Sequence, residues 1–71
     1  MELKIFSERL KELRTERGLT QKQLSQRVDI SKSMICSYEL CEYEPTLSKA
    51  MSLAKFFDVS LDYLSGLSDF E

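Results

Sequence analysis

Histidine and tryptophan are absent from this 71-residue chain, which has only two cysteines, two glycines and one proline. Cys36 and Cys41 cannot supply the four ligands of a zinc site without histidine, so we expect no bound metal. They are also too few for a disulfide scaffold, and we expect free thiols in a reducing compartment. With no histidine base, glycine-rich phosphate loop or nucleophile motif, we expect no catalysis, no cofactor and no small-molecule ligand.

Long apolar runs and targeting signals are missing as well. No apolar stretch approaches the roughly 18 residues of a membrane-spanning helix, so no membrane partner is expected. The N-terminus lacks the apolar stretch and small-residue cleavage site of a signal peptide, which favours a cytoplasmic protein. The length allows one domain, whose small core requires well-packed helices or oligomerisation.

Strand patterns are weak throughout, whereas apolar residues recur at helical spacing. We predict an all-α fold with five helices, at about Leu3–Arg17, Gln21–Val28, Lys32–Leu40, Leu47–Phe57 and Ser60–Gly66. The predicted apolar stripe of the fourth helix consists of Leu47, Ala50, Met51, Ala54 and Phe57. Residues 1–66 form the predicted domain, and residues 67–71 a tail that frays unless a partner covers Leu67 and Phe70.

The helix boundaries carry clear capping signals. Thr20 and Gln23 fit a capping box, and Ser31 and Thr46 are typical N-caps. Gly18 and Asp29 stand where a left-handed residue ends a helix. Two short helices separated only by residues 29–31 must cross steeply, which is the helix-turn-helix arrangement whose second helix enters a DNA major groove.

Charge is distributed unevenly. The chain has 10 basic and 12 acidic residues and a net charge of −2, which argues weakly against nucleic acid. Residues 1–34 carry eight basic and five acidic side chains, whereas residues 35–71 carry two and seven. The positive part therefore contains the candidate motif.

An ordered series of short motifs resembles the Cro/CI-like, or XRE-like, family of helix-turn-helix regulators. The series comprises Leu10–Arg14, Gly18–Gln21 with Leu24, Ile30–Ile35, Tyr38-Glu39, Pro45–Leu47 and Leu53–Leu64. The resemblance implies a compact five-helix bundle of the lambda-repressor-like DNA-binding type, with the helix-turn-helix formed by helices 2 and 3. It also implies a sequence-specific regulator, often a repressor, that binds a palindromic operator in double-stranded DNA as a homodimer.

The resemblance also implies roles for individual residues. Gln21, assisted by Thr20, matches a phosphate contact at a helix N-terminus. Lys32 and Ser33 match base-reading positions, and Cys36 and Ser37 lie one turn further on. The capping residue Ser31, just before them, is also a candidate for DNA contact. Taken alone, each of these residues is better explained as part of an ordinary solvated helix surface, and it is the pattern over the whole chain that favours DNA contact. A further pair of family positions, Arg14 and Glu39, implies an ion pair between the first and third helices.

The segment after the third helix departs from the family pattern. Relatives usually have glycine at the position of Cys41 and basic residues around it, whereas Glu42 and Glu44 are acidic here. Carboxylates repel DNA phosphates. Two roles stay open for Tyr43: its hydroxyl donates a hydrogen bond to a phosphate, or its ring packs on the fourth helix. The acidic segment therefore keeps a second hypothesis open: a protein-interaction module with the same fold and weakened or lost DNA binding.

Overall fold

The computed structural model describes residues 1–71 and consists of five helices without strands. The helices are α1 (Leu3–Glu16), α2 (Gln21–Val28), α3 (Lys32–Glu39), α4 (Leu47–Phe57) and α5 (Leu61–Ser65). The predicted all-helical fold and its element order are confirmed. No helix is long and apolar enough to cross a membrane.

Local capping chemistry accounts for the starts of α2, α3 and α4. The Thr20 hydroxyl accepts from the Gln23 backbone N–H at 3.0 Å, and the Gln23 side chain accepts from the Thr20 N–H at 2.9 Å. Ser31 and Thr46 cap α3 and α4 in the same way, each accepting from a backbone N–H three residues on. These bonds satisfy donors that the first helical turn leaves unpaired, so the sequence dictates where the helices begin.

Left-handed residues follow the helices. Gly18 and Gly66 have φ of 67° and 90°, and Asp29 and Asp58 both have φ of 56°. Cys41, with φ of 62°, occupies the equivalent position after α3. Its N–H donates to Tyr38 O at 3.1 Å and the next N–H donates to a carbonyl five residues earlier, the bond pattern of a Schellman motif. Cys41 therefore holds a conformation that glycine adopts without strain.

The core is a single cluster built from all five helices. Seven of its side chains are no more than 1 % exposed: Phe6, Leu10, Leu24, Ile35, Tyr38, Leu53 and Leu64. Phe6 meets Tyr38 edge-to-face with ring centroids 5.7 Å apart, which joins α1 to α3. α3 packs against α1 and α2, whereas α4 packs against α5 and α2. The outer faces of α3 and α4 therefore belong to different parts of the bundle.

Two expectations about the surface are wrong. Leu47 and Met51, predicted in the buried stripe of α4, are 66 % and 54 % exposed, and Leu53 is buried instead. The stripe is rotated toward Leu53 because α4 packs against α5 and α2 along that side. The tail does not fray, since the Arg9 guanidinium donates to Ser68 O at 2.7 Å. These contacts hold the tail on α1 while leaving its apolar side chains exposed.

Candidate nucleic-acid interface

The tight turn between α2 and α3 presents the start of α3 to solvent. Asp29 makes the left-handed turn, Ile30 anchors it in the core at 3 % exposure, and Ser31 caps α3. Lys32 and Ser33, the first two residues of α3, are exposed. The inward face of α3 is supplied by Ile35 and Tyr38, as predicted. The anchoring leaves the first turn of α3 free to contact a ligand.

A shallow cleft joins the starts of α2 and α3. Four side chains line it: Gln21 from α2, and Lys32, Ser33 and Cys36 from α3. Gln21 lies 11 to 15 positions before the other three along the chain, so tertiary packing brings it to them, whereas Lys32, Ser33 and Cys36 share one face of α3. Ser37 is half-buried next to Cys36. The structure thus brings together four of the residues for which the resemblance implies DNA contact.

The remaining candidates occupy other positions. The Thr20 and Ser31 hydroxyls are engaged as N-caps, each accepting a backbone hydrogen bond. Tyr43 lies outside the cleft and is 58 % exposed. The acidic neighbours Glu42 and Glu44 are exposed as well. The segment following α3 therefore presents two carboxylates and one phenol to solvent.

Arg14 and Glu39 form a two-bonded ion pair behind the cleft. Arg14 Nε lies 2.7 Å from Glu39 Oε2, and Arg14 Nη2 lies 3.0 Å from Oε1. A third guanidinium nitrogen donates to Leu19 O at 2.8 Å. The two side chains are only 12 % and 5 % exposed. Hydrogen bonding to Glu39, opposed in part by desolvation, raises the pKa of Arg14 above its ordinary value, so the guanidinium is charged at every accessible pH.

Gln21 extends this ion pair into the cleft. Its amide nitrogen donates to Glu39 Oε1 at 3.1 Å, so one carboxylate joins α1, α2 and α3. An amide carries two N–H donors, and Glu39 uses one of them. Sequence reasoning missed this bond because the two residues are 18 positions apart and no local pattern relates them. The side chain for which the resemblance implies a phosphate contact is therefore held by a hydrogen bond within the chain.

Three of the four arginines serve the fold. Besides Arg14, Arg9 stacks 4.0 Å above the Tyr63 ring centroid. Arg17 donates to Phe57 O at 3.0 Å. These guanidiniums are engaged within the chain, unlike Lys22 and Lys32, which are exposed at the starts of α2 and α3. The positive charge available to a ligand at the cleft therefore comes mainly from two lysines.

Comparison with known proteins agrees with this geometry. The helix-turn-helix family model matches residues 10–64. The chain is 40 % identical over 65 residues to YobD, an uncharacterized HTH-type transcriptional regulator of Bacillus subtilis, a match covering 92 % of this chain and 58 % of YobD. It is 33 % identical over 57 residues to RstR, the cryptic phage CTXphi transcriptional repressor of Vibrio cholerae, covering 80 % of this chain and 51 % of RstR. The chain thus spans little more than half the length of these regulators.

A solved structure of similar size shows the same fold. The restriction-modification controller protein C.AhdI from Aeromonas hydrophila superposes with a TM-score of 0.79 at 31 % identity, covering 87 % of this chain and 94 % of that one. A helix-turn-helix transcriptional regulator from Vibrio cholerae superposes with a TM-score of 0.81 at 27 % identity, covering 93 % and 37 %. The family match, the curated relatives and the fold agree: the chain belongs to the XRE-type helix-turn-helix family of DNA-binding transcriptional regulators.

Proposed function

We propose that this protein binds a specific DNA sequence, as two copies on a palindromic operator, and represses transcription by occupying that site. The observation that carries the proposal is the cleft where Gln21 meets Lys32, Ser33 and Cys36. A B-DNA major groove about 12 Å wide accepts one helix with its side chains, and α3 presents its first turn outward. Repression is the action named for RstR, to which the chain is similar.

Phosphate contact is assigned to the start of α2. The first N–H groups of a helix have no partner within it and attract anions. At α2 the Gln23 N–H donates to the Thr20 hydroxyl, and the N–H groups of Gln21 and Lys22 make no hydrogen bond within the chain. The second N–H of the Gln21 amide is oriented by the bond that the first makes to Glu39. A phosphate at this point would therefore receive donors that are already aligned.

Base contact is assigned to α3. Lys32 is an exposed donor suited to guanine O6 or N7, whereas Ser33 and Ser37 both donate and accept and discriminate less. Cys36 lies one turn after Lys32 and presents a small, weakly polar surface to the groove. The proposed specificity is consequently concentrated at the one or two base pairs that Lys32 reaches.

Salt dependence should be shallow for a DNA-binding protein. Each neutralised phosphate contributes about −0.9 to the slope of log K against log salt concentration. Lys22 and Lys32 are the exposed cations at the starts of α2 and α3, so a slope of about −2 is expected for each copy. The exposed carboxylates Glu42 and Glu44 lower the affinity further if the segment after α3 approaches the backbone.

Selection of bound duplexes from a random pool, at low and moderate salt, tests the proposal. Enrichment of a palindrome supports it, and failure to enrich any sequence at low salt refutes it. The latter result would favour a protein-interaction module, for which the acidic segment around Glu42 and Glu44 is the supporting feature.

Three lysine or glutamine variants then separate the roles of the cleft residues. Lys32→Ala should relax preference at one base position, with a loss of about 1–3 kcal/mol on the best site. Gln21→Ala should weaken all sites equally because it contacts phosphate. Lys4→Ala removes the same charge from an exposed site near the start of α1 and is the matched control. An unchanged base preference in Lys32→Ala would remove α3 from the reading role.

A further inference from the structure

The fourth arginine of the chain, Arg27, is not engaged by the fold. The guanidiniums of the other three donate to carbonyl or carboxylate oxygens, whereas that of Arg27 forms no hydrogen bond and no ion pair. Arg27 stands in the last turn of α2, and Lys55 stands in the last turn of α4. A cation is favourable at the end of a helix, which explains each residue separately. It does not explain why both line the same groove.

This groove runs between the end of α2 and the second half of α4. Six residues line it: Arg27, Val28 and Asp29 from the end of α2, and Ser52, Lys55 and Phe56 from α4. Arg27 and Lys55 are exposed, and Phe56 is half-buried, so part of its ring is open to the groove. The Arg17 guanidinium lies 5.9 Å from the centroid of the same ring. The groove is called the α2–α4 groove below.

The charge of the α2–α4 groove differs from that of the whole chain, whose net charge is −2. Arg27 and Lys55 line the groove together with a single carboxylate, Asp29, and neither cation forms an ion pair. Lys55 is also one of only two basic residues after residue 34. The groove thus offers two unpaired cations beside an aromatic ring. This combination is complementary to a ligand that carries carboxylates next to an apolar side chain.

We propose that the α2–α4 groove binds an acidic peptide segment of another protein. An apolar side chain of the segment packs on Phe56, and carboxylates on either side of it pair with Arg27 and Lys55. The six lining residues are far fewer than the roughly 20–30 per side of an interface of standard size. A dissociation constant of about 100 μM is therefore expected for such a segment.

The DNA backbone is the competing ligand for two cations, and the position of the groove argues against it. The cleft is formed by α2 with α3 and the groove by α2 with α4, and they share no residue. Gln21 and Arg27 point about 120° apart around α2. A phosphate would also gain nothing from Phe56 and would be repelled by Asp29. A copy bound to DNA through the cleft could therefore hold an acidic segment as well, a consequence that rests on the proposed function.

Selection from a library of short random peptides, displayed on phage and presented to the immobilised full chain without DNA, tests the proposal. The expected result is enrichment of peptides with an aromatic or aliphatic residue between Asp or Glu residues. Binding of a selected peptide should weaken about tenfold or more in Arg27→Glu and in Lys55→Glu. Lys11→Glu makes the same charge change at an exposed position of α1 and is the matched control, with an expected change of about twofold or less.

Neutral variants separate charge from folding. Both groove cations are exposed, so Arg27→Gln and Lys55→Gln should keep the circular dichroism of the wild type. Each should weaken the selected peptide by a smaller factor than the corresponding charge reversal does. Failure to enrich acidic peptides would overturn the proposal. Acidic peptides whose binding is indifferent to both groove cations, or equally sensitive to Lys11→Glu, would overturn it too.

DNA binding separates this inference from the proposed function. On a duplex enriched from the random pool, Arg27→Glu and Lys55→Glu should lower affinity no more than Lys11→Glu does. A greater loss in both groove variants would identify the groove as a phosphate contact and overturn the inference. If the wild type enriches acidic peptides that depend on Arg27 and Lys55 but enriches no duplex, the proposed function fails and the groove inference stands.

Discussion

The Glu39 carboxylate, which joins α1, α2 and α3, offers the sharpest test of how this fold positions the proposed DNA-binding face. Glu39 accepts two bonds from Arg14 and one from Gln21, with its side chain 5 % exposed. Glu39→Gln preserves the shape but leaves the Arg14 guanidinium, 12 % exposed, without a counter-charge. Loss of one partner from a buried pair costs about 3–5 kcal/mol. Because the two hydrogen bonds are only partly buried and glutamine keeps one acceptor, we expect a loss of about 2–3 kcal/mol.

A loss of about 2–3 kcal/mol is a large share of the free energy of unfolding of so small a domain. A domain of 71 residues has a free energy of unfolding of about 4–10 kcal/mol. The expected fall in Tm is about 10–20 °C. Urea unfolding followed by circular dichroism gives the free energy, and an unchanged m-value would show that the denatured state is unaffected. An unfolding midpoint identical to that of the wild type would refute the reasoning.

A double variant separates stability from positioning. Arg14→Met combined with Glu39→Leu removes both charges and should recover most of the stability lost by either single change. Gln21 would then lack its acceptor, so DNA affinity should remain about threefold to tenfold below that of the wild type. Recovery of stability together with full affinity would show that the carboxylate stabilises the fold without positioning Gln21.

Three further changes test the helix ends and the core. In urea unfolding, Gly66→Ala should lower the free energy of unfolding by more than about 2 kcal/mol, because a φ of 90° is strained for alanine and the new Cβ would lie 2.8 Å from Glu2 Cβ. Gly18→Ala should lower it by only about 1 kcal/mol, because no atom lies within 4 Å of the new Cβ. Cys41→Gly should stabilise by about 0.5–1 kcal/mol by relieving the left-handed conformation, and Cys41→Ala should leave the unfolding midpoint nearly unchanged. Burial raises the pKa of Tyr38, so the unfolded chain ionises first and stability should fall above about pH 10, by up to about 1.4 kcal/mol per pH unit. Tyr38→Phe should remove that part of the alkaline loss, and an identical alkaline profile would contradict the assignment.

Helix starts and ends were predictable because their causes are local. The Thr20 hydroxyl and the Gln23 amide act within one turn, and the Ser31 cap acts on the third residue after it. A short-range rule therefore places α2 and α3 without knowledge of the rest of the molecule. The end of α2 and the start of α3 leave only residues 29–31 between the two helices, which is why the sequence predicts the helix-turn-helix.

Burial on α4 was only partly predictable, because periodicity defines a stripe but not its edges. Ala50, Ala54 and Phe57 lie at the centre of the stripe and are buried as expected. Leu47 lies on one edge and Leu53 on the other, and both satisfy a helical period. Which of the two is buried depends on where α5 and α2 pack against α4, and this tertiary packing does not follow from local periodicity. The same limit applies to the tail, whose anchor, Arg9, lies about 60 positions earlier.

Net charge is a poor guide to the function of this chain, for a reason visible only in the structure. Arg9, Arg14 and Arg17 count as positive in the sequence, yet each is bound to carbonyl or carboxylate oxygens of the chain itself. Arg9 and Arg14 are paired with carboxylates, and Arg17 is held against the Phe57 carbonyl, so these side chains are less free to reach a phosphate than the count of basic residues indicates. The N–H groups at a helix N-terminus carry no formal charge but attract a phosphate, and a count of charged side chains does not include them. In the proposed DNA complex, phosphate contact would therefore depend less on side-chain cations and more on the backbone N–H groups of α2 and the amide of Gln21.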